Sequence, residues 1–259
     1  MTINYSSYLQ LDRLLALQDP QSDPEEHDEL LFIVIHQVYE LWFKQLLHEL
    51  DRAERDLRDN ELFGPIATFK RVRMIVKTLV GQLDILETMT PMSFNSFRDR
   101  LDDASGFQSI QFRMAEYALG YKREGALKHV KPEWFGYDEL RRRLDGPSVV
   151  DGFYRFLASR GLEVPQEVLD REGQTTQPDA TVQKGLLQLY RTEPSVGILL
   201  ELMMDVDEGL QEWRYRHVKL VERTIGNKHG TGGSLGVEFL KRSLFQPIFP
   251  DLWAIRHEF

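Results

Sequence analysis

Apolar residues recur at helical spacing along almost the whole chain, and no stretch alternates with the period of a strand. The broadest stripe runs through Leu31, Val34, Ile35, Val38, Leu41, Trp42 and Leu46. It is wider than a surface helix needs and predicts a central helix. Ser22-Asp23-Pro24-Glu25-Glu26 supplies its start, with Asp23 as N-cap, Pro24 in the first turn and Glu26 closing a capping box; its end is expected near Leu57. Gly64-Pro65 opens a second long helix ending near Met89, and Thr90-Pro91 caps a third that reaches about Leu101. Ser105-Gly106 marks a break before a fourth helix over 107–119. Further helices are expected over 180–191 and 196–225, then a glycine-rich loop over 227–234, a shorter helix and a tail. Residues 121–180 are less regular, with short helical pieces at 137–144, 149–159 and 166–172. No long linker bounds that segment, so it reads as an accessory helical insertion within one domain spanning 1–259. Long antiparallel helices joined by short turns predict an all-α bundle.

Composition narrows the chemistry more than the fold. A chain of 259 residues, 42% hydrophobic and 28% charged, suits a globular domain with a sizeable core. Its formal net charge of −9 gives it no general attraction for nucleic acid or anionic lipid. With no cysteine, disulfides, thiolate metal sites, iron–sulfur clusters and a cysteine nucleophile are excluded. The start MTINYSSYLQLD has neither a basic nor an apolar targeting region, and no apolar run is read as a membrane span. A cytoplasmic location is expected.

Seven histidines remain as the first candidates. None follows a glutamate by three positions and no pair has His-x-x-x-His spacing, so di-iron and zinc helix motifs are missing. His36 lies in the most apolar helix and shares a face with Phe32, four residues earlier. It is either a core histidine satisfied by a backbone group or an imidazole presented into an apolar cavity. His217, in Trp213-Arg214-Tyr215-Arg216-His217, is either a solvated histidine on a charged face or a single axial ligand to haem iron. In the second case Arg214 and Arg216 would face the propionates. Arg98, four residues after Phe94, suits a carboxylate clamp or a surface ion pair with Asp99 or Asp102. Gly230-Thr231-Gly232-Gly233-Ser234 lacks the ending of a phosphate-binding loop and reads as a loop closing over a ligand, or as a plain connector.

Several strings in order resemble the tryptophan 2,3-dioxygenase family: YSSYLQLDRLL, LFIVIHQVYELWFKQLLHEL, FNSFRDRL with SGFQSIQFR, and EWRYRHVKLVERTIG followed by GTGGS. Together they span nearly the whole chain. The resemblance implies an all-α homotetramer holding haem b, with His217 as iron ligand and Trp213, Ser105 and Gly106 against the haem. It implies that His36 contacts the indole N–H, that Phe32 and Phe94 wall the indole, that Arg98 pairs with the substrate carboxylate and that Thr231 closes over its amino-acid end. Tyr5, Tyr8 and Leu9 match a segment, within 1–20, that reaches into a neighbouring subunit's site. The implied reaction inserts both atoms of O₂ across the indole C2–C3 bond of L-tryptophan, giving N-formyl-L-kynurenine in the kynurenine pathway. Phe94 stands where some bacterial members carry tyrosine, and Asp103, Leu235, Ala254 and His257 also depart from the usual pattern. These departures keep an alternative open: a divergent paralogue that oxygenates a substituted tryptophan, adding one atom in place of two. A haem-storing module is a third reading. Against it stands the set Phe32, His36, Arg98 and Thr231, which a carrier does not need.

Overall fold

Three long helices make the frame in a computed structural model that describes residues 2–171, 174–226, 228 and 236–259. In chain order the helices are α1 (Tyr5–Leu9), α2 (Leu11–Leu14), α3 (His27–Arg58), α4 (Phe63–Leu86), α5 (Pro91–Phe97), α6 (Ile110–Ala118), α7 (Tyr137–Asp145), α8 (Val149–Ser159), α9 (Gln166–Leu169), α10 (Ala180–Thr192), α11 (Pro194–Ile225), α12 (Val237–Lys241) and α13 (Pro250–Ala254). No strand occurs among the described residues. The fold is all-α, as the periodicity predicts.

α3 turns back into α4 through residues 59–62, and α4 packs along both α3 and α11. The buried line of α3 is Ile35, Tyr39, Phe43, Leu46, Leu50, Ala53 and Leu57, at the three-to-four spacing of one helix face. This line is rotated from the stripe read in the sequence. Val34 and Leu41 are 38% and 52% exposed, because the aromatic Tyr39 and Phe43 take the inward face. By length and hydropathy alone α3 would also suffice to cross a membrane, which corrects the expectation that no segment does. Here its inner face packs against α4, α6 and α8.

The start of α3 differs from the predicted capping box. Glu26 takes the N-cap position with no side-chain cap, and Asp23 lies outside the helix. The work passes to Glu29 on the first turn. Its buried carboxylate accepts the Gln21 and Ser22 N–H groups at 2.7 and 3.0 Å and the Ser22 hydroxyl, while Ser22 Oγ accepts the Glu26 N–H at 2.8 Å. Other starts match: Thr90 Oγ1 accepts the Ser93 N–H with Pro91 in the first turn, and Pro194 opens α11 two residues earlier than expected. The expected helix over 107–119 is split. Gly106–Gln108 is a single 3₁₀ turn capped by Ser105, and α6 begins at Ile110 with Ser109 as its own cap.

Within 121–180, α8 buries Val149, Val150, Phe153, Tyr154, Phe156 and Leu157 in the same core as the long helices. A Cβ on Gly152 would lie 2.8 Å from the Glu54 carbonyl, so only glycine allows this approach of α8 to α3. The chain end is fastened by two buried aspartates. Asp207 on α11 accepts the Ile248 and Phe249 N–H groups and the Trp253 indole, and Asp251 accepts the Tyr154 hydroxyl and the Asp179 N–H.

Candidate active site

Phe32 and His36 sit one turn apart on α3 with ring centroids 4.2 Å apart. Phe94 and Phe97, on the short α5, close against Phe32 at 5.7 and 5.6 Å. Thr90 and Pro91 fix the register of α5, and α5 packs on both α3 and α11. Arg98 follows directly, half-buried in the 3₁₀ turn Arg98–Arg100. The structure therefore brings Phe32, His36 and Phe94 into one aromatic wall, and Arg98 follows the last ring of α5 in the chain. Phe97 belongs to the same wall and was missed, although it lies three residues from Phe94 on the same helix face.

The His36 Nδ1 atom is 2.7 Å from the Phe32 carbonyl oxygen. A carbonyl only accepts, so Nδ1 carries the proton and Nε2 of the neutral ring is left as an acceptor. Burial lowers the His36 pKa from its usual value, opposed by the Phe32 hydrogen bond and the nearby Glu40 carboxylate.

Glu40, one turn beyond His36, reaches across to the next segment. Its carboxylate accepts the Ser109 hydroxyl at 2.5 Å and the Gln111 amide at 2.8 Å, and its backbone carbonyl accepts the same amide. This ties the Ser105–Gly106 turn to α3. The turn is held on its other side by Arg113, whose guanidinium lies 4.8 Å from the Phe107 ring centroid and donates to Glu116 at 2.5 Å. A Cβ on Gly106 would meet nothing within 4 Å, so the space over the turn is open.

His217 comes from α11. Its ring stacks on Trp213, one turn earlier, with centroids 5.1 Å apart and planes within 4°. Trp213 packs on Phe112 at 5.2 Å and on Tyr39 at 6.2 Å. Burial, together with the nearby His36, pushes the His217 pKa down from 6.5 to about 4. The imidazole is therefore neutral near pH 7, with a lone pair available to a metal. Among the described residues no group of three or more His, Asp or Glu side chains could hold a metal ion. A cofactor that brings its own equatorial ligands and needs one neutral imidazole fits this donor set, and haem is such a group.

The arginines expected near the propionates have partners within the chain. Arg214 is buried and donates to the Gln246 carbonyl at 2.8 Å, while Arg216 donates to Asp84 at 2.6 Å and Glu87 at 3.1 Å. Both guanidiniums have protein partners. Tyr5, Tyr8 and Leu9 lie on α1 with exposures of 75%, 74% and 40%, and α1 has no buried residue. Thr231 and the loop around it lie outside the described residues.

The family profile described as tryptophan 2,3-dioxygenase matches residues 1–144 and 166–258. A tryptophan 2,3-dioxygenase of Anaeromyxobacter dehalogenans (strain 2CP-C) is 51% identical over 254 residues, covering 98% of this chain and 95% of the relative. One from Herpetosiphon aurantiacus is 51% identical over 255 residues, covering 98% and 97%. One from Bacillus thuringiensis subsp. konkukian is 44% identical over 260 residues, covering 98% and 92%. These matches cover α3, α5 and α11 together, so the helices that build the aromatic wall and carry both histidines are the shared part. The chain belongs to the tryptophan 2,3-dioxygenase family.

Proposed function

We infer that this chain opens the indole ring of L-tryptophan, inserting both atoms of O₂ across the C2–C3 bond to give N-formyl-L-kynurenine. The observation that carries this reading is one aromatic wall bearing a neutral acceptor imidazole, in a chain alike over 98% of its length to enzymes of that name. His217 would hold the haem iron, and Trp213, Ser105 and Gly106 would line the haem. Haem, when bound, supplies the binding of O₂ and the oxygen chemistry.

The protein's own tasks are orientation and exclusion of water. His36 Nε2 accepts a hydrogen bond from the indole N–H, the one donor on that ring. Burial disfavours a charged His36, so the residue orients the indole and need not remove its proton. Phe32 and Phe94 hold the ring plane by aromatic packing. Arg98 pairs with the substrate carboxylate through its two-pronged donor face. Without a hydroxyl at Phe94, that pairing rests more heavily on Arg98. The Thr231 hydroxyl closes over the amino-acid end.

The assembly is a homotetramer in this reading. α1 buries nothing within its own chain, which suits a segment that packs elsewhere: Tyr5, Tyr8 and Leu9 of the partner subunit complete each pocket. An apolar groove of about 670 Å³ between α3 and α4, lined by Val38, Leu41, Trp42, Met74 and Ile75, also offers surface to a second copy. The test is to load the protein with haem, reduce it, supply L-tryptophan with ¹⁸O₂ and weigh the product. Two labelled atoms in a ring-opened product are expected. One atom, or turnover of substituted tryptophans alone, would replace this reading with the paralogue.

A further inference from the structure

Trp213 and His217 are four residues apart on α11, so their rings share a helix face. An imidazole's second side-chain torsion is broad and twofold, and the helix alone does not choose the ring plane. Something else must, because the two planes differ by only 4°. The indole beside His217 is itself packed between Tyr39 and Phe112, and both of these touch Phe43 at 5.8 and 5.5 Å. Such a four-ring cluster fills space, but ring packing alone gives the indole no directional contact.

One polar tie supplies that direction. The Trp213 Nε1–H donates to the Tyr39 hydroxyl at 3.3 Å, and that hydroxyl donates to the Leu79 carbonyl at 2.5 Å. The tie therefore runs from α11 through α3 to α4, the three helices of the frame. Tyr39 is 8% exposed, and burial pushes its pKa up to about 12, so it keeps the proton it donates.

We propose that Tyr39 is a positioning residue for the His217 imidazole: its hydroxyl pins the Trp213 indole, and the indole fixes the plane of the ring that binds iron. This rests on His217 being the haem ligand. Partners one step behind a metal ligand orient it and set the strength of its bond, and their loss weakens metal binding about 10- to 100-fold. Phe at position 39 keeps the ring packing and deletes only the tie.

The test uses the haem-loaded, reduced protein. In Tyr39→Phe the iron–histidine stretching frequency in resonance Raman should fall, and haem transfer to a scavenging globin should quicken about tenfold. Trp213→Phe removes the donor while leaving Tyr39 on Leu79, and should move both readouts the same way. The double variant should go no further than the larger single effect, since Tyr39 acts only through Trp213. A Tyr39→Phe protein that melts earlier but keeps the wild-type frequency and transfer rate overturns the proposal, as do additive effects in the double variant. Should Tyr39→Phe not fold, a Trp213→Phe protein that keeps the wild-type frequency and transfer rate overturns the proposal. A wild-type protein without a histidine-ligated haem spectrum would instead bring down the haem reading itself.

Discussion

The two imidazoles of the site stand on helices of equal length, 32 residues each, yet their surroundings are built differently. The His217 side is part of the core. Around the ring α11 buries Leu210, Trp213, Val218 and Leu220, α11 lies along α4, and the ring is steered by stacking. The His36 side is assembled from short pieces: α5, two 3₁₀ turns and the start of α6, joined to α3 by side-chain hydrogen bonds such as those of Glu40. Dense packing suits a ligand that must not move. Polar ties between short elements can break and re-form singly, which would suit a side that admits substrate.

The contrast makes ordered predictions. The largest effect is on the packed side: Leu220→Ala, at a buried site three residues from His217, should cost about 2–5 kcal/mol of stability, read by denaturant unfolding. Next is Arg98→Ala. Losing a hydrogen-bonded charge pair is worth roughly 1.5–3 kcal/mol, so the KM for tryptophan should rise about 10- to 100-fold. An indole lacking the carboxylate should respond far less, and equal responses would refute the clamp. Glu40→Ala should cost about 1 kcal/mol of stability while loosening the Ser105–Gly106 turn, visible as faster amide exchange at residues 105–111. Equal loosening of α11 would break the comparison.

The smallest effect concerns Glu29. Burial alone would raise its pKa, but hydrogen bonds from Gln21 and Ser22 outweigh it and the folded pKa is lowered. The stabilisation is thus present above the unfolded carboxylate range, near 4.3, and fades as pH falls through the lower folded value. Glu29→Gln should narrow its stability gap to the parent in that acid window. A gap that stays constant there would contradict the linkage.

Much of this contrast was legible in the residues. Helical periodicity located α3, α4 and α11 because long stripes need little else to specify them. The break at Ser105-Gly106 and the start at Thr90-Pro91 were readable from turn and cap chemistry. The rotated face of α3 was not, because Val34 and Leu41 are as apolar as the residues that turn inward. Glu29 hid behind a better-looking capping box at Asp23. Tyr39 and Glu40 flank the recognised His36 turn, and Glu40 stands at the four-residue spacing that would have flagged it. Their partners, 40 and about 70 positions away in sequence, exist only in the fold. Spacing also left haem undecided for His217. The resemblance suggested it, and the half-buried neutral imidazole, in the absence of a multi-ligand cluster among the described residues, is what fits it.

The account's central claim is the division of labour between the two histidines, and haem titration of His217→Ala beside His36→Ala tests it most directly. His217→Ala should lose the histidine-ligated absorption spectrum and stable haem. His36→Ala should keep both while binding tryptophan more weakly. A His217→Ala protein that retains a normal histidine-ligated spectrum, or a His36→Ala protein that loses it, would contradict the assignment.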